Sequence, residues 1–275
     1  MEIHTRGEDR TASRIAGTSA SMDNSEAARE IRDSFRASEL PAVSTQAKLA
    51  LARSGTPKIP DYLRETYYWA YLNPRNVRYL DRELVVQTIL WQQHRRLANA
   101  ALSEIESGQR VLQSACVYGS FSPALAEHIG PEGRLEIVDV ARVQVENCRR
   151  KLAEFPQATV RHEDVLNLRE SNFDAACCYF LMHELPDDYK HGVVPRLLDS
   201  VRPGGKVVFV DYHKPHWAHP LKLVTSLVFD TLEPFAKGLW RREIREFTDQ
   251  GERFEWRKET YFGRLFQKVV ATRIA

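Results

Sequence analysis

Between residues 110 and 212 the chain alternates short apolar runs with stretches of helical periodicity, and this alternation limits the fold more than any other feature. The apolar runs lie at 110–117, 134–140, 159–163, 173–180 and 206–212. A strand buried on both faces reads as a continuous apolar run, and strands separated by helices predict a parallel sheet covered on both sides. Ser122 is expected to cap the first intervening helix, with Pro123 at its first position and Gly130 just past its end. Ala141, Val145, Cys148 and Leu152 form the inward stripe of the second helix. Val194, Leu197, Leu198 and Val201 form that of a later helix, which Glu184, Asp187 and Asp188 are placed to begin and cap. Arg202-Pro203-Gly204-Gly205 reads as a tight turn into the fifth strand. Residues 254–273 read as two strands about Phe262 and Gly263, an antiparallel hairpin that closes the sheet.

At 275 residues and 43% hydrophobic, the chain can bury the core of one large α/β domain and a helical cap besides. Residues 1–55 lack sustained apolar periodicity and read as a disordered tail, with a short helix at 26–37. Residues 56–108 read as an aromatic-rich cap, and 109–275 as the main domain. Tyr62, Tyr67, Tyr68, Trp69, Tyr71, Tyr79 and Trp91 place seven aromatic rings within thirty residues of that cap. Leu84, Thr88, Trp91, Ala98, Leu102 and Ile105 fall on one helical stripe ending near Gly108, the pattern of a helix packed on a sheet.

Basic and acidic residues number 39 and 37, so the net charge of +2 gives no global field for nucleic acid. Cys116, Cys148, Cys177 and Cys178 show no CxxC spacing and read as reduced core thiols. No apolar stretch reaches the ~20 residues of a bilayer span. The N-terminus has no apolar signal core, and Glu2, Glu8, Asp9 and Asp23 argue against a transit peptide. An insert at 213–250, with an apolar helix at 221–232 followed by Trp240-Arg241-Arg242, suits a lid or a helix lying at a membrane interface.

In an open parallel sheet, ligands bind beyond the carboxyl ends of the strands where the order reverses, here the loop Cys116-Val117-Tyr118-Gly119-Ser120-Phe121. Asp139 ends the second strand twenty residues after Gly119, the position from which a carboxylate accepts hydrogen bonds from ribose hydroxyls. Asp164-Val165 ends the third strand, within reach of an adenine amino group. The loop departs from glycine-rich fingerprints, with Gly119 alone retained and Val117, Tyr118 and Phe121 making it bulky. A nicotinamide-dependent dehydrogenase fits this pattern poorly. His183 follows the fourth strand and faces the expected cleft, where an imidazole can transfer protons or ligate a metal. Asp211-Tyr212-His213-Lys214-Pro215-His216 gathers donors that match no closed zinc motif, so at most a hard-ligand divalent site is expected there.

Together, Val111-Leu112, Asp139, Phe173-Asp174, Leu185-Pro186, Arg202-Pro203-Gly204-Gly205 and Tyr261-Phe262-Gly263 resemble class I methyltransferases, especially those of quinone biosynthesis. Ala115-Cys116-Val117-Tyr118-Gly119, Tyr67-Tyr68-Trp69-Ala70-Tyr71, His183-Glu184-Leu185-Pro186 and Leu232-Glu233-Pro234-Phe235 resemble the rhodoquinone biosynthesis protein family, from about Pro60 to the C-terminus. The resemblance implies a Rossmann-like class I methyltransferase fold: a mostly parallel seven-stranded sheet with an antiparallel C-terminal hairpin and a helical N-terminal cap. It implies conversion of ubiquinone to rhodoquinone, a ring methoxy giving way to an amino group, with S-adenosylmethionine as amino donor and manganese (Mn2+) assisting.

On this reading His183 is the base and Tyr118 positions the amino-acid end of the cofactor. Gln113, Ala115, Tyr118, Gly119, Asp139, Val140, Asp164, Val165 and Tyr179 line its site, and no metal ligands are assigned. The neutral Gln113 stands where such enzymes carry an acid, which leaves a cofactor ammonium easier to deprotonate. A ubiquinone-type lipid substrate implies peripheral contact with a membrane surface, from the cytoplasm or the mitochondrial matrix. The alternatives are a conventional methyltransferase acting on a quinone or lipid-like ring, and a non-catalytic S-adenosylmethionine-binding assembly protein.

Overall fold

Short β-branched and apolar runs that alternate with amphipathic stretches have one economical way to bury themselves, as a sheet between two layers of helices. The computed structural model describes residues 57–274 and takes that form. The expected tail and its helix at 26–37 lie outside the described residues.

The cap opens the described chain with α1 (Asp61–Glu65), a π-helical turn over Tyr68–Leu72, α2 (Pro74–Leu80), α3 (Glu83–Ile89) and α4 (His94–Leu102). The sheet-forming part follows as β1 (Arg110–Gln113), α5 (Phe121–Ile129), β2 (Arg134–Asp139), α6 (Arg142–Lys151), β3 (Ala158–His162) and β4 (Phe173–Tyr179). Then come α7 (Asp187–Ser200), β5 (Val201–Tyr212), α8 (Lys222–Thr231), α9 (Gly238–Arg241), β6 (Phe254–Tyr261) and β7 (Phe266–Arg273). Sheet order is β3-β2-β1-β4-β5-β7-β6, with β1 to β5 parallel and β7 antiparallel to both of its neighbours. The order reverses between β1 and β4, which puts the loops after those strands at the mouth of a crevice.

Each sheet face carries its own core, one built with Leu97, Leu125, Ile137 and Phe266, the other with Val138, Phe173, Leu197 and Phe209. Cys177 and Cys178 are adjacent on β4, point to opposite faces and are fully buried as free thiols, as expected of reduced core cysteines. Among the described residues no helix is long and apolar enough to cross a membrane.

Several local expectations are corrected. The stripe from Leu84 to Ile105 is two helices, because Trp91 and Gln92 adopt positive φ of 50° and 62° and turn the chain between α3 and α4. Leu84 is consequently 76% exposed. Ser120, not Ser122, sits at the N-terminus of α5, and Ser122 is buried with its hydroxyl accepting a bond from Gln113. Gly130 does end that helix, at φ +72°. Residues 202–205 form an irregularity inside β5, where the register against β4 shifts between Phe173 and Ala175. The first strand stops at Gln113, which frees 114–117 for the crevice loop.

Candidate active site

Two cavities open at the carboxyl ends of β1, β2 and β4. The narrower, about 70 Å³, is lined by Ala115, Asp139, Val140, Asp164 and Val165 from the strand ends, with Tyr62 and Tyr189 closing over it. The larger, about 310 Å³, lies between the crevice loop and the cap, and is lined largely by apolar side chains including Val86, Leu90, Leu102, Phe121 and Tyr179. Tyr71, Cys116, Phe180 and Glu184 line both, so the cavities meet at those four residues.

Asp139 holds the crevice loop in place. Its Oδ2 accepts from the Cys116 amide at 2.9 Å and its Oδ1 from the Ala141 amide at 2.7 Å. Burial pushes this carboxyl up to about 6, and the two amide bonds counter that rise. Each oxygen keeps a second lone pair for a ligand hydroxyl. Asp164 accepts from the Leu166 amide at 2.9 Å and faces the same narrow cavity.

Tyr118 lines the larger cavity. Its hydroxyl donates to the Ala70 carbonyl and accepts from Gln144 Nε2 at 2.8 Å, and its ring stacks on Tyr71 at 5.6 Å. Tyr179 lines the larger cavity as well, stacked on Phe121 at 3.8 Å. Gln113 faces neither cavity: fully buried, it donates to the Ala115 carbonyl at 2.7 Å and to Ser122 at 2.9 Å, bracing the loop against α5.

Gly119 lines neither cavity, and the cap explains why it is glycine. It sits at φ +75°, and a Cβ there would lie 3.3 Å from Glu83 Oε2 and from both methyls of Val86 on α3. Its amide donates to Asp81 Oδ1 at 2.9 Å. Lys151, at the end of α6, bonds the same Asp81 oxygen at 2.7 Å and the carbonyls of Val117 and Gly119 at 2.8 and 2.9 Å. No motif announces Asp81 or Lys151, since their pairing spans 70 residues.

His183 follows β4 and borders the larger cavity. Its Nδ1 lies 2.9 Å from Asp211 Oδ1, a carboxylate with no solvent exposure. Burial alone would lower the imidazole, but the Asp211 charge and hydrogen bond outweigh it and lift His183 to about 9. Glu184, expected to begin the next helix, does not: Pro186 precedes α7, Asp187 and Asp188 occupy its first turn, and Glu184 turns inward. Its Oε1 accepts from the Tyr71 hydroxyl and lies 3.8 Å from His183 Nε2. Burial pushes Glu184 up to about 8, against the lowering effect of His183.

The donors expected to gather at 211–216 are dispersed. Asp211 is spent on His183 and the Tyr212 amide, His213 turns to Lys258 and the Arg264 carbonyl, and His216 accepts from the Ala218 amide. Among the described residues no three His, Cys, Asp or Glu side chains are grouped to hold a metal ion, so the residues do not fit manganese.

A reversing parallel sheet ending in an antiparallel hairpin, with strand-end carboxylates in its crevice, defines the class I S-adenosylmethionine-dependent methyltransferase fold. Residues 111–205 match a family model described as a methyltransferase domain. Among curated proteins it is 22% identical over 205 residues to demethylmenaquinone methyltransferase of Bacillus velezensis, covering 71% of this chain and 86% of that one. The enzyme of the same name from Staphylococcus epidermidis is 24% identical over 179 residues, covering 63% and 70%. Among solved structures, a Bordetella parapertussis protein described as a possible exported protein superposes with TM-score 0.59 at 19% identity, over 90% of this chain and 94% of that one. Human N-acetylserotonin methyltransferase bound to S-adenosylmethionine gives 0.54 at 12% identity, over 82% and 65%.

Proposed function

We propose that the protein modifies the ring of a ubiquinone-type quinone, replacing a methoxy with an amino group to give a rhodoquinone, with S-adenosylmethionine as donor. The observation that carries this reading is the meeting of a strand-end cleft suited to an adenosine with an apolar chamber suited to a substituted ring. Asp139 and Asp164 would hold the ribose hydroxyls and the adenine amino group. The bound cofactor supplies the transferable group, its amino nitrogen in this reading.

The chamber is walled by Val86, Leu90, Leu102, Phe121 and Tyr179, and Ile89 at its edge is 48% exposed, so the apolar lining continues to the surface. A prenylated ring suits that continuity, and contact with a membrane surface through exposed Leu84, Trp217 and Leu223 is part of the reading. The bulk of Tyr118, and the absence of a carboxylate where Gln113 stands, favour a cofactor ammonium that can lose its proton. His183, held as an imidazolium by Asp211, places a positive charge beside the chamber, where negative charge on a quinone oxygen would be stabilised.

The relatives named as demethylmenaquinone methyltransferases favour a second reading, methyl transfer to a quinone ring. Incubating the purified protein with S-adenosylmethionine and, in parallel, a short-tailed ubiquinone and a short-tailed quinone that keeps one unsubstituted ring carbon, and weighing the recovered quinones, tests both. Loss of a methoxy with gain of an amino group supports the first, and gain of a methyl supports the second. Recovery of unchanged quinone contradicts both.

A further inference from the structure

Any transfer at the junction of the two cavities must release a proton, from an ammonium in amino transfer or from the ring in methyl transfer. Four side chains line both cavities: Tyr71, Cys116, Phe180 and Glu184. Phe180 holds no proton to exchange. Burial and neighbouring negative charge hold the Tyr71 phenol well above its ordinary value, and the hydrogen bond to Cys148 together with burial does the same for the Cys116 thiol.

We propose that Glu184 is the proton-accepting catalytic residue of this site. The inference rests on the transferase reading above and adds to it the group that makes the transfer possible. The step is a bare proton transfer: an N–H bond breaks (in the second reading, a bond from hydrogen to the ring), its electron pair stays on the donor atom or ring, and an O–H bond forms on a Glu184 oxygen. No oxidant or reductant is needed.

The neighbours of Glu184 fit the role. The Tyr71 hydroxyl donates to Oε1 and so orients the carboxylate. His183 stands 3.8 Å away with its other nitrogen engaged by Asp211; held as a cation, it has no lone pair with which to act as the base itself. Glu233, from the segment before α9, faces the larger cavity alone, and Asp211 is sealed from both. Tyr62, Tyr67, Tyr118, Tyr212 and Cys178 also surround the carboxyl, and burial keeps each of them neutral. Burial lifts Glu184 to about 8, so its ionised, proton-accepting form grows as pH rises through that value.

The test uses Glu184→Gln, which keeps the shape of the side chain and removes its basicity, and Tyr71→Phe, which keeps the carboxylate but removes its donor. First, infrared difference spectra of the full-length, ligand-free protein follow the protonated carboxyl with pH. A carboxyl that ionises near pH 8 in the wild type, is missing in Glu184→Gln and ionises at higher pH in Tyr71→Phe is expected. Second, Glu184→Gln is expected to bind S-adenosylmethionine within about threefold of wild type by calorimetry while losing quinone turnover by at least about 100-fold, the scale of a lost acid–base group. Turnover in Glu184→Gln within about tenfold of wild type, or a wild-type Glu184 that stays protonated across the pH range in which the enzyme turns over, overturns the proposal. If the wild type turns over no quinone, the transferase reading fails by itself, and the infrared titration still decides whether Glu184 can take up a proton.

Discussion

The Lys151 ammonium lies 2.7 Å from Asp81 Oδ1, and this pair fastens the end of α6 to the turn between α2 and α3. The same ammonium holds the carbonyls of Val117 and Gly119, and Asp81 also accepts from the Gly119 amide and from Asn147 Nδ2 at 3.0 Å. Cap and crevice loop are therefore one unit, and the chamber between them keeps its shape through it. Both side chains are mostly buried, at 16% and 15% exposure.

Asp81→Ala should leave the Lys151 charge and the Gly119 amide without their carboxylate. The expected loss is about 3 kcal/mol, the lower end for breaking a buried pair by removing one partner. Urea denaturation of the variant beside wild type checks this, and a midpoint unchanged at equal slope contradicts it.

Gly119→Ala should cost roughly 1–2 kcal/mol for a left-handed alanine, and more if Val86 and Glu83 cannot give way. Because Gly119 faces neither cavity, its effect on S-adenosylmethionine affinity should be small beside its effect on stability. A Kd raised more than about tenfold, 1.4 kcal/mol, with little loss of stability would show instead that this glycine admits the cofactor.

Cofactor affinity should weaken as pH falls through about 6, because Asp139 is protonated there and loses acceptor capacity toward ribose hydroxyls. Asp139→Asn should remove that dependence and weaken binding by about tenfold, as expected when a hydrogen bond to a charged group is lost. Calorimetric titrations at several pH values decide the matter. A wild-type affinity flat across this range contradicts the assignment.

The His183–Asp211 pair should appear in stability against pH. The folded value of His183, about 9, exceeds its ordinary 6.5, so its contribution is complete below about 6.5 and is lost as pH rises through 9. Melting temperatures should decline over that interval, and Asp211→Asn should be less stable at neutral pH with a shallower decline. Parallel curves for the two proteins contradict the pairing.

The sheet was legible because strands buried on both faces must be written as apolar runs, and the hairpin because Phe262-Gly263 interrupts an alternating pattern. Trp91 and Gln92 were not, since neither glycine nor proline marks a chain reversal made by two ordinary residues with positive φ. Asp139 was singled out by its distance to Gly119 and Asp164 by its place at a strand end, and both line the narrow cavity, although the structure gives that glycine to the cap. Glu184 looked like part of a helix start, because its sequence neighbours are acids that do begin α7. Its partner Tyr71 lies 113 residues earlier, and no local pattern connects them.

In the proposed reaction the cofactor gives nitrogen to the ring. The purified protein, incubated with ubiquinone and S-adenosylmethionine carrying heavy nitrogen in its amino group and heavy carbon in its methyl, gives the most direct test. The expected product is a quinone that has lost one methoxy and carries the heavy nitrogen without the heavy carbon. A quinone carrying the heavy methyl carbon, or an aminated quinone free of the nitrogen label, would contradict it.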